Sequence, residues 1–218
     1  MSDPFDVVRS FEKDLCEYTG APYAVAVNSC TMALLLACAW WREEHHRHGV
    51  HQISLPKLTY VGVPYAVKEA GFDVGFREDD WQGEYLLEGS PIWDSARRFT
   101  AGMFGFRCSA VGHRVPATGP RIQALSFHYS KILGHSQGGA LVHNLPEADV
   151  WLRRARLDGR TEGVSARADT FNQRRAWHAY LSPDVAAALR WNLSTLPRHN
   201  ADLPRSDYAD LSLHEAFQ

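Results

Sequence analysis

The chain has 218 residues and a formal net charge of −2, a length that suits one domain with a buried core. Its hydrophobic fraction of 45% and charged fraction of 22% are ordinary for a soluble globular protein. The near-neutral charge argues against a general role in binding nucleic acid or anionic membranes. The first residues lack the apolar core of a signal peptide, and the apolar run over residues 32–41 is too short to span a bilayer.

Helices and strands alternate over most of the sequence. In chain order, the predicted elements are a helix over 4–19, a strand over 23–27, a helix over 32–41 with a polar continuation to 48, a strand over 52–55, a helix over 60–70, strands over 72–76, 84–87, 90–93, 122–127 and 139–143, and helices over 146–157 and 182–196. Residues 197–218 are predicted as a polar tail with a short final turn. The alternation predicts a single α/β domain with a mostly parallel sheet flanked by helices.

Ligands of such sheets collect at the carboxyl ends of the strands. Lys131 lies there, because it follows the strand that ends at Phe127 after a short turn. A lysine amine attacks a carbonyl only after losing its proton, and partial burial favours that neutral form. Its position is therefore typical of a lysine that forms a Schiff base with an aldehyde cofactor, although most lysines after strands are simply solvated.

Three other strand-end features would serve the same cofactor. The turn at residues 29–31 offers backbone N–H groups to an anion, or else Ser29 only caps a helix. Asp94 is either a cap or the carboxylate that keeps the ring nitrogen of pyridoxal 5′-phosphate (PLP) protonated. Tyr60 would stack on a flat ring or belong to the core. One cofactor explains all of these features together with Lys131.

Several segments resemble the DegT/DnrJ/StrS family of PLP-dependent aminotransferases, known mostly for amino-sugar biosynthesis. The segments that carry the resemblance are residues 11–34, 55–61, 93–98, 126–131, 137–144, 151–160 and 171–172. The resemblance covers residues 7–190 and implies the large domain of a fold-type I PLP enzyme, with the stretch between Phe76 and Pro91 shortened and the C-terminal small domain absent. Residues 1–218 are then one PLP-binding domain, with 197–218 as its tail.

The resemblance also implies roles for individual residues. Lys131 would form the internal aldimine, Asp94 would face the ring nitrogen, and Tyr60 would stack on the ring. Arg97, where the family commonly has glutamine, would approach the phenolic oxygen or a substrate anion. Asn172 would reach the cofactor phosphate of a neighbouring subunit, which implies a homodimer with a shared site. The implied cofactor-binding residues are Ser29, Cys30 (through its backbone, where the family usually has glycine), Thr31, Tyr60, Asp94, Arg97, Ser126, Lys131 and Asn172.

The function implied by the resemblance is PLP-dependent amino transfer on an amino-sugar or related small-molecule substrate. One alternative keeps PLP but changes the reaction to decarboxylation or elimination on a bulky amino-acid conjugate. A second alternative is a catalytically silent protein of the same fold that binds a partner or a nucleotide. Transamination needs a second, keto substrate, whereas decarboxylation releases carbon dioxide without one, so product analysis distinguishes the two reactions.

Other clusters have simpler interpretations. The histidines at 45, 46, 48 and 51 are predicted to form a solvated helix end rather than a metal site, because no cysteine or acid completes a ligand set. The arginines between Arg153 and Arg175 either meet a phosphorylated substrate or form a solvated face with salt bridges. The four cysteines show no metal-ligand spacing and favour a reducing cytoplasm.

Overall fold

The computed structural model describes residues 3–45, 49–108, 114–116 and 118–217. Its helices are α1 (Asp6–Thr19), α2 (Cys30–His45), α3 (Gly62–Glu69), α4 (Pro146–Ala155) and α5 (Pro183–Thr195). Its strands are β1 (Tyr23–Val27), β2 (Gln52–Pro56), β3 (Asp73–Arg77), β4 (Tyr85–Leu86), β5 (Ile92–Asp94), β6 (Phe106–Cys108), β7 (Arg114–Pro116), β8 (Ile122–Ser126) and β9 (Gly139–His143). Short 3-10 helices lie at Met103–Gly105, Leu211–Leu213 and Glu215–Phe217.

Each predicted strand is present within two residues of its expected bounds. The first helix begins at Asp6 rather than Pro4, because the Asp3 carboxylate accepts a hydrogen bond from the Phe5 N–H at 3.0 Å and holds the preceding residues in a turn. The ribbon of β6 and β7 was not predicted, since its two short antiparallel strands carry no clear periodicity.

The main sheet is mixed, which corrects the prediction of a mostly parallel sheet. Its strand order is β1-β9-β8-β5-β4, with β9 antiparallel to both β1 and β8, β5 parallel to β8, and β4 antiparallel to β5. Parallel neighbours need a long crossover, usually a helix, and the segment between β8 and β9 contains no helix. Strands β2 and β3 form a separate parallel pair joined through α3.

Strands β1, β5 and β8 nevertheless run in one direction. Strand β9 is antiparallel to both β1 and β8, so β1 and β8 point in the same direction. Strand β5 is parallel to β8 and therefore shares that direction. The carboxyl ends of the three strands, at Val27, Asp94 and Ser126, therefore lie at one edge of the sheet. Strand β9 begins at the same edge with Gly139, which pairs with both Val27 and Ser126.

Helices cover both faces of the sheet, and the alternation of side chains along the strands divides the core in two. Val25 and Val27 of β1 pack in a cluster with α2, α3 and α4. Ala24 and Ala26 point to the opposite face and pack with α1 and α5. This arrangement of helix, sheet and helix confirms the predicted α/β class.

A buried ion cluster joins α1 to β1 and α4. Glu12 is 3% exposed and pairs with Arg156, which is 2% exposed, and with Arg153 at 2.7 Å. The two arginines also donate to the carbonyl oxygens of Ala24 and Ala26 in β1. Arg153 and Arg156, two members of the arginine-rich stretch, thus have structural partners within the fold.

The predicted polar tail packs along the domain. Asp202 pairs with Arg98, which also binds the buried Glu84. Further along, Asp210 pairs with Lys57 at 2.9 Å, and Leu211 and Phe217 are buried. Most of the tail is polar, so its anchors are a few well-separated side chains that make long-range contacts rather than a periodic apolar face.

Substitution of Asp202 by alanine is expected to loosen the tail. The change leaves the buried Arg98 with Glu84 but without its second carboxylate, and unpaired buried donors cost about 1–3 kcal/mol. We expect a lower midpoint of urea unfolding and faster proteolysis within residues 199–208. Asp207→Ala, which removes an exposed carboxylate from the same segment, is the matched control. Equal proteolysis of the two variants would show that Asp202 does not anchor the tail.

Candidate active site

A cavity of about 380 Å³ opens at the edge where β1, β5 and β8 end. Side chains from these strand ends, from the β8–β9 loop and from the tail line it. The predicted site residues that it brings together are Ser29, Cys30, Thr31, Tyr60, Asp94, Arg97, Ser126 and Lys131. Asn172 is the predicted site residue that does not line this cavity, and the roles predicted for the others stay predictions.

The turn after β1 is the start of α2. Ser29 Oγ accepts a hydrogen bond from the Met32 N–H at 3.2 Å, so this serine caps the helix as the simpler interpretation proposed. The first N–H groups of any helix lack partners within the helix, and here the first two residues of α2, Cys30 and Thr31, line the cavity. The cap and the anion site are thus compatible uses of one turn.

Strand β9 lies unusually close to this turn. A Cβ atom added at Gly139 would be 2.5 Å from the Cys30 nitrogen and 2.5 Å from the Ser29 carbonyl carbon. Gly138 has φ of +123°, in the region that favours glycine, and forms an isolated bridge with Ser29. The two glycines let the backbone of β9 support the turn directly, without side chains between them.

Asp94 is buried, with 6% of its surface exposed. One carboxylate oxygen accepts from the Ala96 N–H at 2.9 Å and the other from the Tyr85 hydroxyl at 2.8 Å. Burial raises the pKa of Asp94, although these two hydrogen bonds and the positive charges of Lys131 and Arg97 act in the opposite direction. The carboxylate is thus held in one orientation in a site where a cationic partner would be favourable.

Tyr85 is a site residue that the sequence did not reveal. It is 3% exposed, and its hydroxyl contacts Thr59 Oγ1 at 2.6 Å as well as Asp94. Burial and the charge of Asp94 raise the pKa of Tyr85 well above its ordinary value, so the hydroxyl stays protonated and donates. The available signal was a tyrosine in an otherwise apolar strand, because a buried tyrosine hydroxyl usually has a partner.

Lys131 lies in the loop between β8 and β9. Its backbone N–H donates to the His128 carbonyl at 2.8 Å, which closes the turn, and its side chain is half-buried at the cavity wall. The Cys30 thiol is close to both Lys131 and Asp94. Burial raises the pKa of Cys30 well above its ordinary value, with Asp94 adding to the rise and Lys131 opposing it, so the thiol is neutral and a poor nucleophile.

The rim of the cavity carries aromatic and basic groups. Tyr60 is 54% exposed and lies against Gly62, where an added Cβ would be 2.8 Å from the tyrosine ring. Arg97 donates to the hydroxyl of Ser206 and lies 6.0 Å from the ring centre of Tyr208. Ser206 and Tyr208 belong to the tail, and the sequence gave no reason to place them at the site.

Asn172 does not join this cavity within one chain. Its side chain is exposed and accepts a hydrogen bond from Arg154 at 2.8 Å on the surface of α4. Its neighbour Phe171 is 53% exposed and has φ of +46°. The predicted contact of Asn172 with the cofactor of a second subunit stays a prediction.

Within the described residues, no group of three or more histidine, cysteine or acidic side chains could hold a metal ion. His46 and His48 of the predicted solvated cluster lie outside the described residues. The helices that the structure describes are all too short or too polar to cross a membrane.

Residues 3–82 match the model of the DegT/DnrJ/EryC1/StrS aminotransferase family. This segment contains the turn at residues 29–31 and Tyr60, whereas Asp94 and Lys131 lie beyond it. No curated protein sequence matches the chain. This match agrees with the family resemblance predicted from the sequence, and the solved structures add a likeness of fold.

Three solved structures illustrate the shared fold. DesV from S. venezuelae, solved in complex with a ketimine intermediate, has a TM-score of 0.62 and 23% identity, covering 90% of this chain and 57% of its own. The sugar aminotransferase CalS13 from Micromonospora echinospora has a TM-score of 0.62 and 18% identity, with coverages of 88% and 61%. PseC from Helicobacter pylori, an aminotransferase involved in the biosynthesis of pseudoaminic acid, has a TM-score of 0.67 and 17% identity, with coverages of 88% and 58%.

These likenesses confirm the predicted fold of the PLP-dependent aminotransferases. The chain spans only about three fifths of the length of the proteins it matches, 57% of DesV and 61% of CalS13.

The buried Asp94 predicts a pH-dependent gain in stability for Asp94→Asn in the cofactor-free protein. Because the folded protein raises the pKa of Asp94 above 3.8, the unfolded chain releases this proton at a lower pH than the folded protein does, and stability falls as pH rises from 3.8 to the raised pKa. Asparagine removes the loss, and the Tyr85 hydroxyl can accept from its amide while donating to Thr59. We expect the thermal midpoint to rise by about 2 °C or more at pH about 7 and by less at pH about 3, which lies below the ordinary pKa of an aspartate.

The matched control is Asp73→Asn, at an exposed aspartate, which should show no such difference. A lower thermal midpoint for Asp94→Asn at both pH values would contradict the assignment, because the hydrogen bonds of the carboxylate would then outweigh its burial.

Proposed function

We propose that the chain binds PLP covalently through Lys131 and catalyses transfer of an amino group. The observation that carries the proposal is the meeting of Lys131, Asp94 and the turn at residues 29–31 around one cavity, at the edge where three aligned strands end. The substrate that we propose is an amino sugar or a related small molecule, because CalS13 and PseC, which share the fold, are sugar-related aminotransferases.

The residues present fit PLP in the chemistry of their donors. The start of α2 and the hydroxyls of Ser29, Thr31 and Ser126 suit a phosphate. Gly139, which has no side chain, lies directly against the turn at residues 29–31. Tyr60 supplies an aromatic face at the rim for a flat ring.

When bound, PLP would supply an electron sink that stabilises negative charge on the substrate carbon next to the amine. Asp94 would hold a proton at the ring nitrogen, and Tyr85 would keep the carboxylate oriented by donating to its second oxygen. Lys131 Nζ, once free, would take the proton from the substrate carbon and return it to the cofactor side. The Cys30 thiol, which stays neutral, would not compete with Lys131 for the aldehyde of the cofactor.

We infer that the functional unit is a homodimer in which Asn172 of one subunit completes the phosphate site of the other. The exposed Phe171 and Asn172 form a surface segment beside α4, outside the cavity of their own chain. The cytoplasm is the location that we propose, because Cys16, Cys30 and Cys38 are free thiols and such thiols are typical of reducing compartments.

Substitution of Lys131 by alanine should abolish covalent attachment of the cofactor. Wild-type protein is incubated with PLP, reduced with borohydride, digested and analysed by mass spectrometry, with the visible absorption spectrum recorded before and after reduction. We expect a phosphopyridoxyl group on the peptide that contains residue 131. Lys131→Ala should lose the label completely, whereas the control Lys13→Ala, on the exposed face of α1, should retain it.

A folded wild-type protein that takes up no PLP would instead favour the catalytically silent alternative. A label on another lysine would contradict the assignment of Lys131. Release of carbon dioxide without a keto substrate would move the proposal to the decarboxylase alternative.

Substitution of Asn172 by alanine should weaken PLP affinity about 10-fold, since it removes a hydrogen bond to a charged group. A site shared between two subunits also predicts how mixed dimers behave. Mixed dimers of Asn172→Ala and Lys131→Ala subunits should regain one tight, labelled site, because one of their two sites receives both native residues. PLP binding is titrated by fluorescence at limiting cofactor. The absence of recovery in mixed dimers, with subunit exchange verified, would show that Asn172 does not act across an interface.

A further inference from the structure

Arg97 is a cation held by neutral groups at the wall of the cavity. Its guanidinium donates to the Ser206 hydroxyl and lies 6.0 Å from the ring centre of Tyr208. Its Nε–H is buried and has no hydrogen-bond partner among the described residues. The backbone is fixed on both sides, since Arg97 N–H donates to Gly83 at 3.2 Å and its carbonyl accepts from Leu203 at 2.9 Å.

The next residue shows what a structural arginine looks like in the same place. Arg98 is 8% exposed and pairs with two carboxylates, those of Glu84 and Asp202. Within the described residues, Arg97 forms no salt bridge with any carboxylate, and both oxygens of the nearby Asp94 already accept hydrogen bonds from Ala96 and Tyr85. The charge of Arg97, at the wall of the cavity, thus has no carboxylate partner among the described residues.

We propose that Arg97, Ser206 and Tyr208 form a subsite that binds a carboxylate of the substrate. The inference rests on the proposed function, because it takes the cavity to be the place where an amino compound reacts. The planar guanidinium can offer N–H groups of its two terminal nitrogens to the two oxygens of a carboxylate. The Ser206 hydroxyl holds the other side of the guanidinium, and the Tyr208 ring closes the wall beside it.

The charge balance of the cavity favours a carboxylate over a phosphoryl group. Among its described lining residues, the lysine and arginine side chains are those of Lys131 and Arg97. The proposed function uses Lys131 for the cofactor, and the helix start with its hydroxyls for the cofactor phosphate. One guanidinium remains, and a single positive charge with a planar pair of donors matches a singly charged, planar anion.

The tail thereby takes part in substrate selection. Ser206 and Tyr208 are placed by the Asp202–Arg98 ion pair and by the stacking of Tyr208 on Trp81, whose ring centres are 6.3 Å apart. Trp81 in turn packs on Tyr85, the residue that orients Asp94. The subsite and the proposed cofactor acid are therefore linked through one row of aromatic rings.

The test measures carboxylate binding without turnover. Glutarate, which has neither an amine nor a carbonyl that can react, is titrated calorimetrically into the PLP-loaded protein, beside its uncharged diamide and inorganic phosphate. We expect glutarate to bind and the diamide and phosphate to bind at least about 10-fold more weakly. Arg97→Gln should weaken glutarate about 10-fold or more and leave PLP affinity unchanged within about 2-fold.

Arg97→Lys keeps the charge but loses the planar pair of donors, so we expect an intermediate affinity, and this variant also serves if Arg97→Gln does not fold. Arg205→Gln removes a positive charge from the same tail at a residue that does not line the cavity, and it should bind glutarate like the wild type.

Unchanged glutarate affinity in Arg97→Gln, or no glutarate binding by the wild type, would overturn the proposal. Equal losses of PLP and glutarate would also overturn it, since Arg97 would then serve the cofactor. Phosphate binding as tight as glutarate binding would contradict the carboxylate assignment. If the wild type fails to take up PLP, the proposed function fails, and the same titration on the cofactor-free protein still decides whether Arg97 binds a carboxylate.

Discussion

The close approach of β9 to the turn after β1 is the constraint on which the site depends. Strand β9 lies between β1 and β8 and runs against both, so it aligns their carboxyl ends at one edge. Gly139 makes this possible because no side chain separates it from the backbone of Ser29 and Cys30. Any residue with a Cβ would push the helix start away from the sheet, and the anion-binding turn would move relative to Lys131.

The buried polar groups of the cavity lower the stability of the folded protein. Asp94 lies out of solvent with its oxygens occupied by Tyr85 and Ala96, and burial still raises its pKa. Among the residues that the structure describes, the partners of the Arg97 guanidinium are the neutral side chains of Ser206 and Tyr208. Sites prepared for charged ligands commonly show this pattern, because the ligand supplies the missing opposite charges. By contrast, the buried carboxylate of Glu12 pairs with the guanidinium of Arg156, so opposite charges offset each other in this structural cluster.

Local patterns in the sequence were sufficient for the elements but not for their pairing. The strands at 23–27 and 139–143 are β-rich runs with clear ends, and their bounds follow from composition alone. The direction of β9 depends on how the chain returns after β8, which local periodicity does not encode. The same limit explains Tyr85 and Tyr208, whose contributions arise from contacts with Asp94 and Arg97 that only the folded chain brings together. Asp94, Lys131 and the turn at residues 29–31 were predictable because strand ends share an edge.

The tail contacts also affect the order in which the protein can assemble during synthesis. Residues 202–208 leave the ribosome after every strand of the main sheet, and Asp202 meets Arg98 across more than a hundred residues of chain. The sheet and its helices can therefore form while the cavity still lacks the wall that contains Ser206 and Tyr208. During that interval the nascent domain is open on the side where Arg97 lies, so a cofactor could enter before the wall is in place.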